Sequence, residues 1–231
     1  MQDIANNMNA LFNAHIQRKN DDSPHVRLTS NVLPHTQNLQ IGVSSDYVQK
    51  PNHNWFALRV TYNRILKACN IISNAGVQSY MPMHYVIKND IGRKKRILQP
   101  LLPNIFFVYS TREKVNAIVR KRIEDLPIIK FYLDKTKPIE TNGKHPPLII
   151  EFEAMLNFIK ATSTKSNHVR IVSSEQCHYK NGDIVKVIDG EFKGVKGRVA
   201  RIAGQQRVVV EISGVCMVAT AYIPSAFIET I

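Results

Sequence analysis

The chain has 231 residues, of which 44% are apolar and 8% aromatic. This composition is typical of a globular protein with one or two domains, and it excludes a chain that is disordered throughout. Three widely spaced cysteines without a CxxC pair exclude a disulfide framework and a thiolate zinc site. No signal peptide is recognisable, and no apolar run approaches the roughly 18 residues that a membrane span needs. We therefore expect a cytoplasmic protein that does not associate with membranes.

The formal net charge of +13 is concentrated in the middle of the chain. The excess of basic over acidic side chains is 0 in residues 1–52, +10 in 53–161 and +3 in 162–231. The middle segment is therefore the electropositive one, as expected of a surface that works near nucleic acid. A surface that is basic only for solubility remains the alternative.

Residues 1–52 are rich in Asn, Gln, Ser and His and predict a flexible N-terminal extension. Within it, apolar residues recur at helical spacing from Asp3 to Arg18, which predicts a short amphipathic helix. Such a helix could dock on the protein's own core or on a partner.

Residues 53–161 predict a first domain in which strands and helices alternate. Apolar periodicity and turn signals predict strands at 55–62, 77–88, 93–98, 104–110 and 128–133, and helices at 63–75, after Thr111 and at 151–161. This order indicates an α+β sandwich with helices laid on an antiparallel sheet. The strand at 104–110 is apolar on both faces, so one face fills the core and the other must be covered by helices or by a partner.

The remainder of the chain predicts a second, smaller domain. Residues 162–180 are polar without a sustained period and predict a linker. Residues 181–231 then predict five short strands separated mostly by glycine-containing turns, which indicates a small β-barrel. Its first two strands and the turn that connects them carry the residues Lys186, Asp189, Gly190, Phe192, Gly194 and Gly197, with Phe192 presented on the turn. Gly190 and Gly194 suit a positive φ, and Gly197 suits a bulge or a close backbone approach.

Catalytic and metal-binding motifs are missing from the sequence. The patterns HExxH, GxSxG, GxxxxGK[ST] and GxGxxG do not occur. His145 and His178 have no nucleophile or carboxylate at a recognised spacing. We expect no enzymatic activity, no catalytic residue, no metal and no cofactor.

One further signal is a run of four cations that follows a predicted hairpin turn. Arg93, Lys94, Lys95 and Arg96 lie at the margin of the sheet. They can contact nucleic acid, with a simply solvated charge run as the alternative.

Residues 54–231 resemble NusG-type transcription factors. WFALRV from Trp55, YMPM from Tyr80 and PLLPNIFFV from Pro100 resemble the NusG N-terminal domain, and GDIVKV from Gly182 onward resembles the KOW motif. PLII from Pro147 and the tail VATAYIPSAFI from Val218 are similar to the UpxY-type paralogues of capsular polysaccharide operons. The resemblance does not extend to residues 1–52.

The resemblance implies a monomeric factor that binds the clamp helices of the largest RNA polymerase subunit and suppresses pausing or termination. The implied polymerase-binding pocket consists of Tyr80, Pro82, Leu102, Pro103, Ile105 and Phe107. Relatives often carry Tyr at the position of Ile105. Non-template or upstream DNA is an implied contact of the basic cluster, and Rho or a ribosomal protein is an implied partner of the KOW domain. The alternative is a KOW-containing module that binds RNA or the ribosome.

Overall fold

The computed structural model describes residues 47–61, 64–90, 93–122, 128–164 and 168–231. The predicted helix from Asp3 to Arg18 lies outside these residues. The α-helices of the described part are α1 (Ile65–Asn74), α2 (Arg112–Arg120) and α3 (Phe152–Thr162). The strands of the first domain are β1 (Asn54–Val60), β2 (Gln78–Tyr80), β3 (Met83–Asp90), β4 (Arg93–Pro100), β5 (Ile105–Ser110), β6 (Ile129–Phe131) and β7 (Ile149–Ile150).

The first domain contains the predicted antiparallel sheet with helices on it. Its strand order is β2-β5-β1-β6, and β7 also pairs with β1. Side chains alternate between the two faces along each strand. On one face, Phe56 and Phe106 pack with the buried residues of α1 and α2. On the other face, Trp55 and Phe107 pack with α3.

The strand predicted at 77–88 is interrupted in the structure. It divides into β2 and β3 at Met81 and Pro82, because proline has no N–H to donate to a ladder. The carbonyl of Pro82 instead accepts a hydrogen bond of 2.8 Å from the N–H of Leu101. The second half then pairs with β4 as a two-stranded hairpin apart from the main sheet.

Residues 170–231 form a second antiparallel sheet. Its strands are β8 (Arg170–Val172), β9 (His178–Val187), β10 (Lys196–Ile202), β11 (Gln205–Ile212), β12 (Cys216–Ala219) and β13 (Ile228–Thr230). They lie in the order β13-β9-β10-β11-β12-β8. The sheet thus has six strands where the sequence predicts a barrel of five, and within the described residues its end strands β13 and β8 do not pair with each other.

The sixth strand, β8, lies inside the segment 162–180 that the sequence predicts as a linker. It pairs with the free edge of β12, and Val169 and Val172 are buried. The guanidinium of Arg207, which is itself buried, donates to the carbonyls of His168 (3.1 Å) and Thr220 (2.6 Å). A buried cation needs such partners, and here they hold the start of this segment against the sheet.

The described end of the N-terminal extension packs on the first domain. Tyr47 is buried against Trp55, with ring centroids 4.9 Å apart, and its hydroxyl donates to the carbonyl of Ser79. The N–H of Lys50 donates to the Tyr109 hydroxyl at 2.7 Å. In the part of the chain that the structure describes, no helix is long and apolar enough to cross a membrane.

Candidate functional site

The face of the first sheet that packs with α3 is ordered in three rows that run across the strands. The strand register places Gln78, Tyr109, Trp55 and Ile150 in row 1, Tyr80, Phe107 and Ala57 in row 2, and Ile105, Arg59 and Lys130 in row 3. Residues directly opposite in an antiparallel pair project from the same face, so each row forms one band of side chains.

Helix α3 covers rows 1 and 2. Phe152 lies 5.5 Å from the Tyr109 ring, and Phe158 lies 5.4 Å from the Phe107 ring, measured between centroids. The sequence of α3 suits this position, because Phe152, Met155, Phe158 and Ile159 recur at helical spacing and form an apolar stripe. The uncovered face that the sequence leaves to helices or to a partner is therefore covered by the protein's own helix.

The end of α3 is tied to row 2 by a buried hydroxyl cluster. The Tyr80 hydroxyl lies 2.6 Å from Oγ1 of Thr162 and 3.1 Å from Oγ of Ser163. Thr162 in turn donates to the carbonyl of Phe158 within the helix. Burial raises the pKa of Tyr80 to about 12, and its hydrogen bonds with Ser163 and Thr162 oppose that rise.

The structure separates the six predicted pocket residues into two groups. Tyr80, Pro82, Leu102 and Phe107 are buried, and Phe107 has no exposed surface. Ile105 is half-buried and Pro103 is exposed. The buried residues therefore belong to the protein's interior, whereas Ile105 and Pro103 are accessible to a partner.

Row 3 is the uncovered end of the face, and two of its residues were not among the predicted site residues. Arg59 lies between Ile105 and Lys130 in register, and both cations are exposed. The signal was present in the sequence, because strand alternation puts Arg59 on the same face as Trp55 and Ala57. Within the described residues, neither cation takes part in an ion pair.

The predicted basic cluster of Arg93, Lys94, Lys95 and Arg96 lies on β4 of the hairpin. Lys95 is directly opposite Lys88, and the Arg96 guanidinium lies 3.8 Å from the centroid of the Tyr85 ring. No described side chain of the hairpin is buried, and the exposed fraction of Ile87 is 65%. The hairpin thus carries Lys94 and Arg96 as exposed cations, and Lys88 and Lys95 as half-buried ones, on a two-stranded ribbon.

The residues of the predicted KOW motif lie in and beside the turn between β9 and β10, with Lys186 on β9 and Gly197 on β10. Gly190 and Gly194 have φ of 80° and 86°, as predicted. A Cβ on Gly197 would lie 2.3 Å from the carbonyl oxygen of Val209, so only glycine fits there. Phe192 is buried in the core that α3 shares with the second sheet, while Lys186 and Asp189 are exposed.

The second sheet contacts α3 at this same turn. The Asn157 side chain donates to the carbonyl of Lys196 at 2.6 Å and accepts from the N–H of Lys196 at 2.8 Å. Apolar residues of both sheets, among them Phe107 and Val210, belong to one continuous buried cluster with Phe158. Helix α3 therefore packs between the two sheets.

Two comparisons with known proteins found similarities. Residues 53–146 match the model of the family described as "Transcription termination factor nusG". A crystal structure of the "MjSpt4:Spt5 complex conformation B" is 15% identical, with 77% of this chain and 96% of that chain covered. Its TM-score to this chain is 0.23. No curated protein matches this chain. The similarity to the NusG family is thus assigned to residues 53–146, which include strands β1 to β6, the hairpin among them, and rows 2 and 3. Ile150 of row 1 and helix α3 lie beyond the matched residues.

Proposed function

We propose that this protein is a transcription elongation and antitermination factor that binds elongating RNA polymerase and suppresses pausing or termination. The observation that carries the proposal is an apolar face, in a segment similar to the NusG family, whose row 3 stays accessible beside α3. The resemblance to UpxY-type paralogues favours long operons, such as capsular polysaccharide loci, as its targets.

The proposed polymerase contact is narrower than the sequence predicts. Ile105 and Pro103 are accessible and can contact the clamp helices directly. Tyr80, Leu102 and Phe107 act from beneath, because they hold β5 and α3 in place. The proposed contact therefore centres on row 3.

The hairpin is the proposed nucleic-acid contact. Lys88 and Lys95 are directly opposite each other on a ribbon without a buried face, where like charges repel. A phosphate backbone would neutralise both lysines. Non-template or upstream DNA is the proposed ligand, and Arg93, Lys94 and Arg96 on the same strand belong to the proposed contact. Lys94 and Arg96 project from the opposite face of the ribbon to Lys95, because side chains alternate along a strand.

The second sheet is the proposed docking site for Rho or a ribosomal protein. Helix α3 occupies one side of it, so the exposed residues on the remaining surface, among them Lys186 and Asp189, are the ones available. This part of the proposal rests on the resemblance to KOW domains.

Single-round transcription tests the proposal. Core RNA polymerase transcribes a template with one pause site and one terminator, with and without the full chain. We expect shorter pausing and more read-through with the wild-type protein, and neither effect with Ile105→Asp. The matched control is Ile139→Asp, which changes an isoleucine that is 62% exposed in the loop beyond β6. Equal pausing with and without the wild-type protein would contradict the proposal.

The second candidate function is RNA or ribosome binding by the second sheet. Lys186 and Lys196 are directly opposite on β9 and β10, and both are exposed. Tight, salt-sensitive binding of an RNA oligonucleotide that is lost in Lys186→Glu/Lys196→Glu, but kept in Lys95→Glu, would favour this function.

A further inference from the structure

The two cations of row 3 are placed where they oppose folding. Arg59 and Lys130 are direct partners in an antiparallel pair, and like charges in that position repel. The other neighbour of Arg59 is Ile105, which cannot neutralise it. The second sheet contains a comparable pair of lysines, Lys186 and Lys196. The charge of that pair is compensated, because Glu229 lies directly opposite Lys186 on the neighbouring strand.

The position of this pair indicates a ligand. Apart from Gln78, rows 1 and 2 of the same face are apolar and covered by α3, whereas row 3 ends in two exposed cations with a half-buried isoleucine beside them. An arrangement that costs stability and is accessible is typical of a binding surface. Charge complementarity then requires acidic groups on the ligand.

We propose that row 3 binds an acidic segment of a partner protein. An apolar side chain of that segment packs on Ile105, and carboxylates beside it contact Arg59 and Lys130. A protein segment is favoured over nucleic acid, because row 3 has no aromatic ring on which a base could stack. The inference rests on the proposed function in one respect, because RNA polymerase is the protein expected to carry the acidic segment. The preference of row 3 for acidic peptides is tested separately with peptides of defined sequence.

A stability measurement separates binding from folding. Lys130→Glu replaces the repulsive pair with an attractive one, so the thermal unfolding midpoint of the full chain should rise by about 1–3 °C. A fall in the midpoint would mean that Lys130 serves the fold, and it would overturn the proposal. The matched control is Lys193→Glu in the turn between β9 and β10, a change of the same charge at an exposed site outside the helices.

Titration of the isotope-labelled full chain with defined probes tests the ligand class by NMR. The probes are a helical peptide with leucine flanked by glutamates, the same peptide with lysines for the glutamates, and a single-stranded DNA oligonucleotide. We expect only the glutamate peptide to shift the amide signals of Arg59, Ile105 and Lys130. Its affinity should fall about tenfold in Arg59→Glu/Lys130→Glu. The proposal would be overturned if only the DNA shifted the row 3 signals. It would also be overturned if none of the three probes shifted them.

Binding to core RNA polymerase separates this inference from the proposed function. Both the inference and the proposed function are supported if retention on the polymerase is lost in Arg59→Glu/Lys130→Glu. The control Lys193→Glu/Arg201→Glu in the second sheet should keep it. Equal retention of wild type and the row 3 variant overturns the inference and leaves the proposed function standing. If the wild type binds the glutamate peptide at row 3 but not the polymerase, the inference stands and the proposed function fails.

Discussion

Asn157 on α3 makes two hydrogen bonds to the backbone of Lys196, at 2.6 and 2.8 Å, and so fastens the second sheet to the helix that covers the first. Phe158, the next residue, packs on Phe107 of the first sheet. One helix turn therefore contacts both sheets, and the two parts of the chain share a core instead of being joined only by a tether.

The first prediction concerns this double hydrogen bond. Asn157→Ala should lower the free energy of unfolding by about 1 kcal/mol, because two partly solvated hydrogen bonds are lost. Urea denaturation measures the change. Asn70→Ala, at an exposed position on α1, should be neutral or slightly stabilising, because alanine is the better helix former. Two separate unfolding transitions in the wild type would contradict the shared core.

The second prediction concerns the buried hydroxyl of Tyr80. Its pKa is raised to about 12, so its contribution to stability is complete below about pH 10 and is lost as the pH rises through 12. Tyr80→Phe should be less stable at pH 9 by about 1 kcal/mol, and its stability should fall less steeply between pH 10 and 12. Tyr222→Phe, at an exposed tyrosine, should follow the wild-type curve. Parallel curves for Tyr80→Phe and wild type would contradict the assignment.

The third prediction concerns the glycine of the β10 strand. Gly197→Ala should destabilise the protein by about 1–3 kcal/mol, because the new methyl group would overlap the carbonyl oxygen of Val209. Gly214→Ala is the comparison, since its Cβ would meet nothing closer than 3.9 Å and only its positive φ opposes alanine. Thermal unfolding of both variants shows which substitution is the more destabilising, and we expect it to be Gly197→Ala. A smaller effect at Gly197 would show that β10 and β11 can move apart.

The fourth prediction concerns the hairpin. Lys95→Glu places a carboxylate opposite Lys88, so stability should stay equal or rise slightly. Affinity for single-stranded DNA should fall, and the slope of log K against log salt should become shallower, by about 0.7 for each phosphate contact that is lost. Fluorescence anisotropy at several salt concentrations measures both. An unchanged slope would mean that Lys95 does not contact a phosphate, and it would contradict the proposed nucleic-acid contact of the hairpin.

Many strands and turns of this fold are predictable from the sequence, because the spacing of apolar residues and the positions of glycines are local features. The alternation of Ile105, Phe106 and Phe107 predicts a strand that is apolar on both faces, and Gly190 and Gly194 predict positive φ at the turn. The pattern cannot say what covers each face, since that depends on distant residues. Phe107 is therefore predicted equally well as a contact residue or as core, and the structure buries it beneath Phe158.

Two features escaped prediction for related reasons. The linker segment looks polar, yet Val169 and Val172 are buried and β8 pairs with the edge of β12. The row 3 site depends on register, because Arg59 and Lys130 are far apart in the chain and meet only when β1 pairs with β6. Pairing between distant strands cannot be inferred from local composition.

The most direct measurement is the equilibrium affinity of the full chain for core RNA polymerase. Three proteins are compared, namely wild type, Ile105→Asp and the exposed-loop control Ile139→Asp, with folding checked by circular dichroism. Phe107→Asp is unsuitable, because a carboxylate at a fully buried position would unfold the domain. We predict a loss of about tenfold or more for Ile105→Asp and no change for the control. Equal affinity of all three proteins would contradict a polymerase contact at the uncovered end of the sheet.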